Sequence, residues 1–491
     1  MQEYHDKAKR GIKLLLGRQI VVQVITFGGG IILARTLNPA DFGLYVISSF
    51  MVNLFALIGD FGLAPSFIQR KQELTELEVQ VGFTVQQILT TFLVLVMMIG
   101  GPYVARYLYP DLPQVVWLVR VLSFNLYLTS WRSMSALQLE RHMKYDRLAK
   151  IEVGEILVYQ TVAVTLALLG FHTWSYIVAV LMSGVFGTTL IYLAAPWPVR
   201  LKLDKTIASD LIRFGIPFQF QTILNSVGGW VTPLIVGRQV GPDAVGYITW
   251  ASSNGRKPLM ITDSVMRVAF PHFSRIQDDL AEVERIVVRY LSGLMMLGAL
   301  WFTGIVVTNP GLVEFIYKPK WVPAVPALIL YSLSLGLDMM SMVIGVTLNS
   351  IGRLNVTTKI VAIRSVLNIL LAVVLVNSMS PANAFNGVPI AYLISSAITI
   401  PWLMSTIRAG AVWRISMGII WIAVPTIAGV TGGLAVSWST RSLPTIIHIA
   451  AAGITATLLF GLATWYVCPE WMKGKIASMA QRYIGETTVA A

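Results

Sequence analysis

"LNPADFGLY", residues Leu37–Tyr45, separates two apolar runs that are each long enough to cross a bilayer, and "VGPDAVGY", residues Val240–Tyr247, separates two more. With an offset of 203, Arg35 falls on Arg238, Pro39 on Pro242 and Gly43 on Gly246. Farther along, Asp60 falls on Asp263 and Phe67 on Phe270. Proline and glycine in each stretch suit a tight reversal between neighbouring helices. Six apolar spans surround each copy, and a duplicated set of even number keeps its orientation. The two halves therefore read as parallel repeats about an axis along the membrane normal.

Composition sets the solvent. The chain has 491 residues, of which 55% are hydrophobic and only 12% charged, with a mean hydropathy of +0.69. An ordinary soluble domain carries about 25% charged residues, and an apolar excess of this size belongs in lipid. The pattern predicts an all-α polytopic membrane protein with about fourteen spans, near 14–34, 42–66, 81–105, 114–139, 151–171, 173–195, 215–236, 246–268, 288–308, 323–349, 356–377, 385–407, 413–436 and 444–468. Residues 1–195 form a first lobe of six spans and 215–409 a second, followed by two further spans and a tail over 410–491. The link between the lobes, 196–214, carries charges at a spacing that suits an amphipathic helix on the inner membrane face. Two parallel lobes with a cleft between them suit alternating access.

Basic residues set the orientation. Twenty-six Lys and Arg lie at the two termini and in the even-numbered loops, among them Lys7, Lys9, Arg10, Arg141, Lys144, Arg200 and Arg353. Six lie in the odd-numbered loops: Arg35, Arg106, Arg238, Lys318, Lys320 and Arg441. Both ends are therefore expected in the cytoplasm. Most of the net charge of +13 is then topological, which argues against a nucleic-acid partner. The first span leads into the turn rather than into a small-residue cleavage site, so it reads as a retained helix. The single cysteine, Cys468, excludes an internal disulfide, and no Cys/His spacing suggests a metal or cofactor. The pattern GxxxxGK[ST] is absent, so the chain has no phosphate-binding loop of its own.

Charges inside spans are functional candidates by default, because each costs about 2.5–3.5 kcal/mol at mid-bilayer on insertion scales. The candidates are Asp60, Arg120, Arg132, Glu152, Glu155, Arg256, Lys257, Asp263, Asp338 and Arg364. In span eight Thr249, Ser252, Arg256, Asp263 and Arg267 fall on one stripe at 100° per residue. Asp263 and Arg267 can pair at i,i+4, and neither Arg256 nor Lys257 has a carboxylate three or four residues away. Arginine's fork and lysine's point charge suit phosphate oxygens. Arg256 and Lys257, with Ser252 and Asn53 (the residue at the repeat position of Arg256), thus form a candidate diphosphate site. A structural ion pair is the competing reading for the two cations. Asp60 and Asp263 recur at the 203 offset and are the candidate coupling carboxylates or pair members, with Arg267. An offset of 209 places Glu155 on Arg364, which suggests a second charge pair between spans five and eleven. Tyr103, Tyr107, Tyr109 and Trp117 read as interfacial belt; Trp230 and Trp250 are the candidates for sugar contact.

Four stretches in order, "LARTLNPADFGLY", "GDFGLAPSFIQRK", "LQLERHMKYDRLAKIE" and "RFGIPFQFQTILNS", resemble the polysaccharide-exporter branch of the multidrug/oligosaccharidyl-lipid/polysaccharide transporter superfamily. The resemblance covers the whole chain. It implies a bacterial inner-membrane flippase, not an enzyme, that moves an undecaprenyl-diphosphate-linked oligosaccharide outward for cell-surface or extracellular polysaccharide synthesis. Its implied partners are that lipid-linked oligosaccharide, membrane lipid, and polymerase or assembly proteins. Such exporters often carry a charged pair in the seventh span just before the second turn; here Thr232–Pro233 stands there, ahead of "LIVGR".

A cation-coupled multidrug antiporter of the same fold is the alternative, and it would use a protonatable carboxylate such as Asp60, Asp263 or Asp338. A membrane glycosyltransferase would need a sizeable catalytic loop or clustered carboxylates outside, and the odd loops scatter Asp41, Asp111, Asp243 and Glu314 widely. The topology is testable directly. Reporter fusions after Tyr109 and Pro319 should report the outside, and fusions after Tyr145 and Pro198 the inside. Inversion at two of the four would overturn the orientation.

Overall fold

The computed structural model describes residues 2–59, 75–142, 144–209, 229, 232–309 and 311–468. Among them every element is helical. The first half has α1 (Gln2–Thr36), α2 (Pro39–Gly59), α3 (Glu76–Ile99), α4 (Gly101–Leu108), α5 (Gln114–Ser123), α6 (Asn125–Arg141), α7 (Tyr145–Leu168) and α8 (Trp174–Ala194). The second has α9 (Pro242–Gly255), α10 (Leu259–Arg275), α11 (Leu280–Thr308), α12 (Val325–Ser350), α13 (Leu354–Ser378) and α14 (Gly387–Ser405), then α15 (Ala411–Ile419), α16 (Ala423–Ser439) and α17 (Thr445–Val467).

Nine helical stretches among the described residues are each long and apolar enough to cross a membrane, or ten if α1 and α2, which turn through 119°, count as one broken span. The shortfall from fourteen has local causes. The fourth span is broken at Phe124 into α5 and α6. The eighth is broken between Gly255 and Leu259. Most of the seventh, like Asp60, Trp230 and the stretches "GDFGLAPSFIQRK" and "RFGIPFQFQTILNS", lies outside the described residues.

The chain divides into two compact units, Met1–Thr249 with Val376–Phe385, and Trp250–Leu375 with Asn386–Ala491. In the first, α7 packs on α1 and α8, around Leu33, Leu37, Ala163, Ala167, Tyr176 and Ala179. In the second, α12 packs on α10, α11 and α14, with Leu294, Leu335, Met339 and Val343 at its centre. Helix starts follow local chemistry. Thr75 and Glu78 form a capping box on α3, and the Asp279 carboxylate accepts from the amides of Ala281 and Glu282 at the start of α11; both satisfy amides that have no partner inside the helix.

The link departs from the expected amphipathic helix over its first part. Pro196–Asp204 is not helical, and helix resumes only at Lys205. Pro196 and Pro198 disfavour the α conformation in the residues before them. Trp197 is buried against Phe83, Val79 and Met134 instead, and the Lys202 amide donates to Thr84 Oγ1 at 3.0 Å.

The two repeated turns meet each other inside the first unit. A Cβ added at Gly43 would lie 1.8 Å from the Pro242 carbonyl oxygen, and one at Gly246 would lie 2.0 Å from that of Pro39. The contact is reciprocal: each proline's carbonyl rests on the other turn's glycine, and the absent side chains let the backbones approach that closely. Around it, Asp41 accepts from the Asn38 amide and from Thr173 Oγ1, both at 3.0 Å. Arg238 lies 5.3 Å from the ring centre of Tyr107. Tyr109, expected in the interfacial belt, is buried, and its hydroxyl donates to the Pro233 carbonyl at 2.8 Å within a π-helical turn, Thr232–Val236. Tyr103, Tyr107 and Trp117 are exposed as a belt requires. Gly43→Ala and Gly246→Ala should each destabilise the protein by about 1–3 kcal/mol, as overpacking does. Gly30→Ala, where an added Cβ meets nothing within 4 Å, should be neutral in the same thermal-unfolding assay.

Candidate functional site

Span eight breaks where its charges sit. Pro258 lacks an amide hydrogen and its ring collides with the carbonyl four residues back, so α9 ends at Gly255 and α10 starts at Leu259. The Leu259 amide turns to the Arg256 carbonyl at 3.1 Å, and the indole of Trp301 donates to the freed Gly255 carbonyl, also at 3.1 Å. Gly255 lies against α12, since a Cβ there would come 3.0 Å from Tyr331 Cβ and 3.1 Å from the Leu328 carbonyl oxygen. That close approach delivers the next residue, Arg256, to α12.

Arg256 Nε lies 2.7 Å from Asp338 Oδ2, the arginine side chain being 27% exposed and the aspartate 5%. Tyr392, from α14, completes a triangle. Its hydroxyl donates to Asp338 Oδ1 and accepts from Arg256 Nη2 at 3.1 Å, and the guanidinium lies 4.9 Å from its ring centre. Arg364 of α13 donates to Ser341 Oγ at 2.6 Å on the neighbouring face of α12. The break after α9 and helices α12, α13 and α14 thus bring two arginines, one carboxylate and one phenol to a small region of the second unit. Lys257 sits in the break, partly buried.

The break corrects the expected continuous stripe. Asp263 and Arg267 do pair, with 3.9 Å between Nη2 and Oδ2, but their side chains are 57% and 73% exposed and stand on α10, beyond the interruption. Ser252 is on α9 and half-buried. Asn53, on α2 in the other unit, is exposed. Asp60 lies outside the described residues. Trp250 is buried, stacked on Trp321 with ring centres 5.2 Å apart and edge-on to Tyr317 at 4.9 Å, so it serves packing rather than sugar contact.

Glu155 has a partner within its own unit: its Oε1 lies 2.8 Å from Arg132 Nη1. The offset of 209 that places Glu155 on Arg364 also places Arg132 on Ser341, and Arg364 contacts Ser341. The same contact between spans four and five therefore recurs between spans ten and eleven with its charge pattern changed. In the sequence Asp338 stands only among the candidate carboxylates of an antiporter, Arg132 has no assigned partner and Tyr392 does not stand out; the 209 offset, applied to each intramembrane charge in turn, is the signal that joins them.

Comparison with known proteins follows from this geometry. Residues 32–326 match a family model described as "Polysaccharide biosynthesis protein". The chain is 26% identical over 330 residues to the lipopolysaccharide biosynthesis protein WzxC of Escherichia coli (strain K12), covering 63% of each chain. It is 25% identical over 317 residues to the succinoglycan biosynthesis transport protein ExoT of Rhizobium meliloti (strain 1021), covering 62% of each. The matches thus span a little under two thirds of these relatives' lengths. In fold the chain is similar to the lipid II flippase MurJ in an inward closed conformation, with a TM-score of 0.71 over 91% of this chain and 98% of that one at 13% identity.

Removing one member of a buried ion pair strands the other, at about 3–5 kcal/mol. Arg256→Ala should accordingly lower the unfolding temperature of detergent-purified protein, and Arg256→Ala combined with Asp338→Ala should recover most of the loss. A loss in the double variant equal to the sum of the losses in Arg256→Ala and Asp338→Ala alone would show that the two side chains are not coupled.

Proposed function

The chain belongs to the polysaccharide biosynthesis protein family, and on that premise we propose that it flips or exports a lipid-diphosphate-linked oligosaccharide across the bacterial inner membrane by alternating access. The two lobes, 1–195 and 215–409, are the moving bodies, with 196–214 as their link and 410–491 as the appended spans and tail. Both termini face the cytoplasm, as the basic residues require. Polymerase or assembly proteins act on the exported unit.

One observation carries this reading: two cations, Arg256 and Lys257, stand at a proline-made break in a membrane span. A helix interruption at membrane depth is tolerated where it lines a cavity or is buried in protein, and there the cations meet an anionic head. Asp338 is the resting counter-ion of Arg256. A diphosphate presents more negative charge and several oxygens to the same fork, and Lys257 adds a second positive charge. Ser252 and Asn53 are secondary hydrogen-bonding candidates. Asp263 with Arg267, and Glu155, stand as pair members in this mechanism; Asp60 is retained as a coupling candidate from the repeat alone.

The arrangement gives little support to a drug antiporter. Such a transporter needs a carboxylate free to exchange a proton or cation for the drug, whereas Asp338 is engaged by both Arg256 and Tyr392 and Asp263 by Arg267.

The test is export of polysaccharide by cells in which the chain is the sole exporter. Arg256→Ala with Asp338→Ala removes the pair as a unit and leaves no stranded charge, so a folded double variant should still fail to export. Lys257→Ala should reduce export, and Arg256→Lys should harm it less than Arg256→Glu. Losing a charged hydrogen bond worth about 1.5–3 kcal/mol weakens binding by one to two powers of ten. Normal export by the double variant and by Lys257→Ala would overturn the cationic site.

A further inference from the structure

A cavity of about 180 Å³ opens among α6, α7 and α8 in the first unit. Asn125, Thr129, Arg132, Glu155, Ser183 and Thr188 give it a polar lining. Its depth is mid-membrane, for Glu155 is ten residues into α7, about 15 Å along a helix of 24 residues. A charged pair placed there is costly unless it faces protein or a wet cavity, and Arg132 and Glu155 retain 27% and 16% side-chain exposure.

The repeat makes the cavity informative. At the 209 offset, Thr129 falls on Asp338, Arg132 on Ser341, Glu155 on Arg364 and Ser183 on Tyr392. The second half thus has its phenol, with the Arg256 guanidinium 4.9 Å from the ring centre, at the position where the first half has only a serine. The first half keeps its charges and loses the bulk. Gly187 extends this economy, since a Cβ there would come 1.5 Å from Glu155 Oε1; the glycine is what lets the carboxylate sit at the cavity wall.

The lining has unspent hydrogen-bonding capacity of both kinds. Glu155 Oε1 is enclosed, 2.8 Å from Arg132 Nη1 and against Gly187, while the side chain as a whole keeps 16% exposure, so the carboxylate can accept through its other oxygen. The Asn125 side-chain amide makes no hydrogen bond among the described residues and offers both a donor and an acceptor. The hydroxyls of Thr129, Ser183 and Thr188 donate to the carbonyls of Asn125, Val180 and Leu128, which leaves their lone pairs to accept. Arg132 keeps further N–H groups. A neutral ring carrying several hydroxyls matches this mixture, whereas a phosphate would meet the Glu155 carboxylate and a bare cation would meet Arg132. Size is compatible with one ring: a cavity of about 150 Å³ admits benzene, and this one is larger, at about 180 Å³.

We propose that this cavity is a saccharide subsite that takes one pyranose ring by its hydroxyls, separate from the Arg256–Lys257 region. As a step in transport it rests on the export reading above, but binding itself does not. The experiment is saturation-transfer NMR on detergent-purified protein with glucose and galactose, and with sorbitol as an open-chain polyol of like composition. Saturation transfer to the two pyranoses, and not to sorbitol, is expected. Ser183→Tyr, which installs the side chain found at the repeat position, should abolish it, and Glu155→Gln, which keeps the shape, should weaken it about tenfold. No transfer to either sugar, equal transfer to sorbitol, or unchanged binding by a folded Ser183→Tyr protein would each overturn the subsite. None of these results bears on export, and loss of the export reading leaves sugar binding by the purified protein unaffected.

Discussion

A charge in hydrocarbon must meet an opposite charge, a dipole or water, and this constraint organises both halves of the chain. Each half answers it at the same place, between its fourth and fifth spans, but with different residues. Arg132 meets Glu155 in the first half; Arg364 meets Ser341 in the second, where Asp338 is left to neutralise Arg256. Neither solution works without small residues beside it. Gly187 clears room for Glu155, and Gly255 lets α9 close on α12. The charged positions therefore select the glycines, and the glycines set how near the helices come.

The duplicated turn is the counterpart of that constraint at the helix ends. Proline and glycine would serve any reversal, which is all that sequence reasoning could ascribe to them. Their recurrence has a tighter cause: the Pro39 and Pro242 carbonyls each occupy the space that a side chain at Gly246 or Gly43 would need. A copy of the turn is useful to this chain because its partner is the other copy. Arg238 on Tyr107 and Tyr109 on Pro233 surround the contact with longer side chains from the loop end of the first half.

Much of the fold was legible because period and length act locally. The all-α membrane architecture, the span positions and the 203 offset come directly from hydropathy and identity along the chain. Helix breaks were harder to read. Pro258 signalled one, but the stripe over Thr249–Arg267 assumed an unbroken 100° per residue, and α10 does not continue α9. Partners across helices were harder still, because only packing tells which of several carboxylates a cation meets. Arg256 met Asp338, eighty-two residues away in sequence, and a phenol that carries no charge to attract notice. Tyr109, expected in the belt, and Trp250, expected at a sugar, are both buried instead; the reason is related, since an aromatic side chain looks the same in sequence whether it faces lipid, faces a ligand or seals a helix contact.

The magnitudes also constrain how a substrate would use the second-half cluster. Opening a buried ion pair without replacing it costs about 3–5 kcal/mol, while one hydrogen bond to a charged group returns about 1.5–3. A ligand offering a single oxygen to Arg256 would leave the pair closed. A diphosphate offering two oxygens to the guanidinium fork and a third to Lys257 would exceed the cost, and Asp338, once released, retains the Tyr392 hydroxyl as a donor. On this account the cluster discriminates by the number of anionic oxygens rather than by shape: a neutral lipid falls below the threshold, a single phosphate with two oxygens on the fork, returning about 3–6 kcal/mol, roughly meets it, and a diphosphate passes it. The phenol is then as necessary as the cations, since without it the displaced carboxylate would be left buried with no donor, and the exchange would lose on the aspartate what it gained on the arginine.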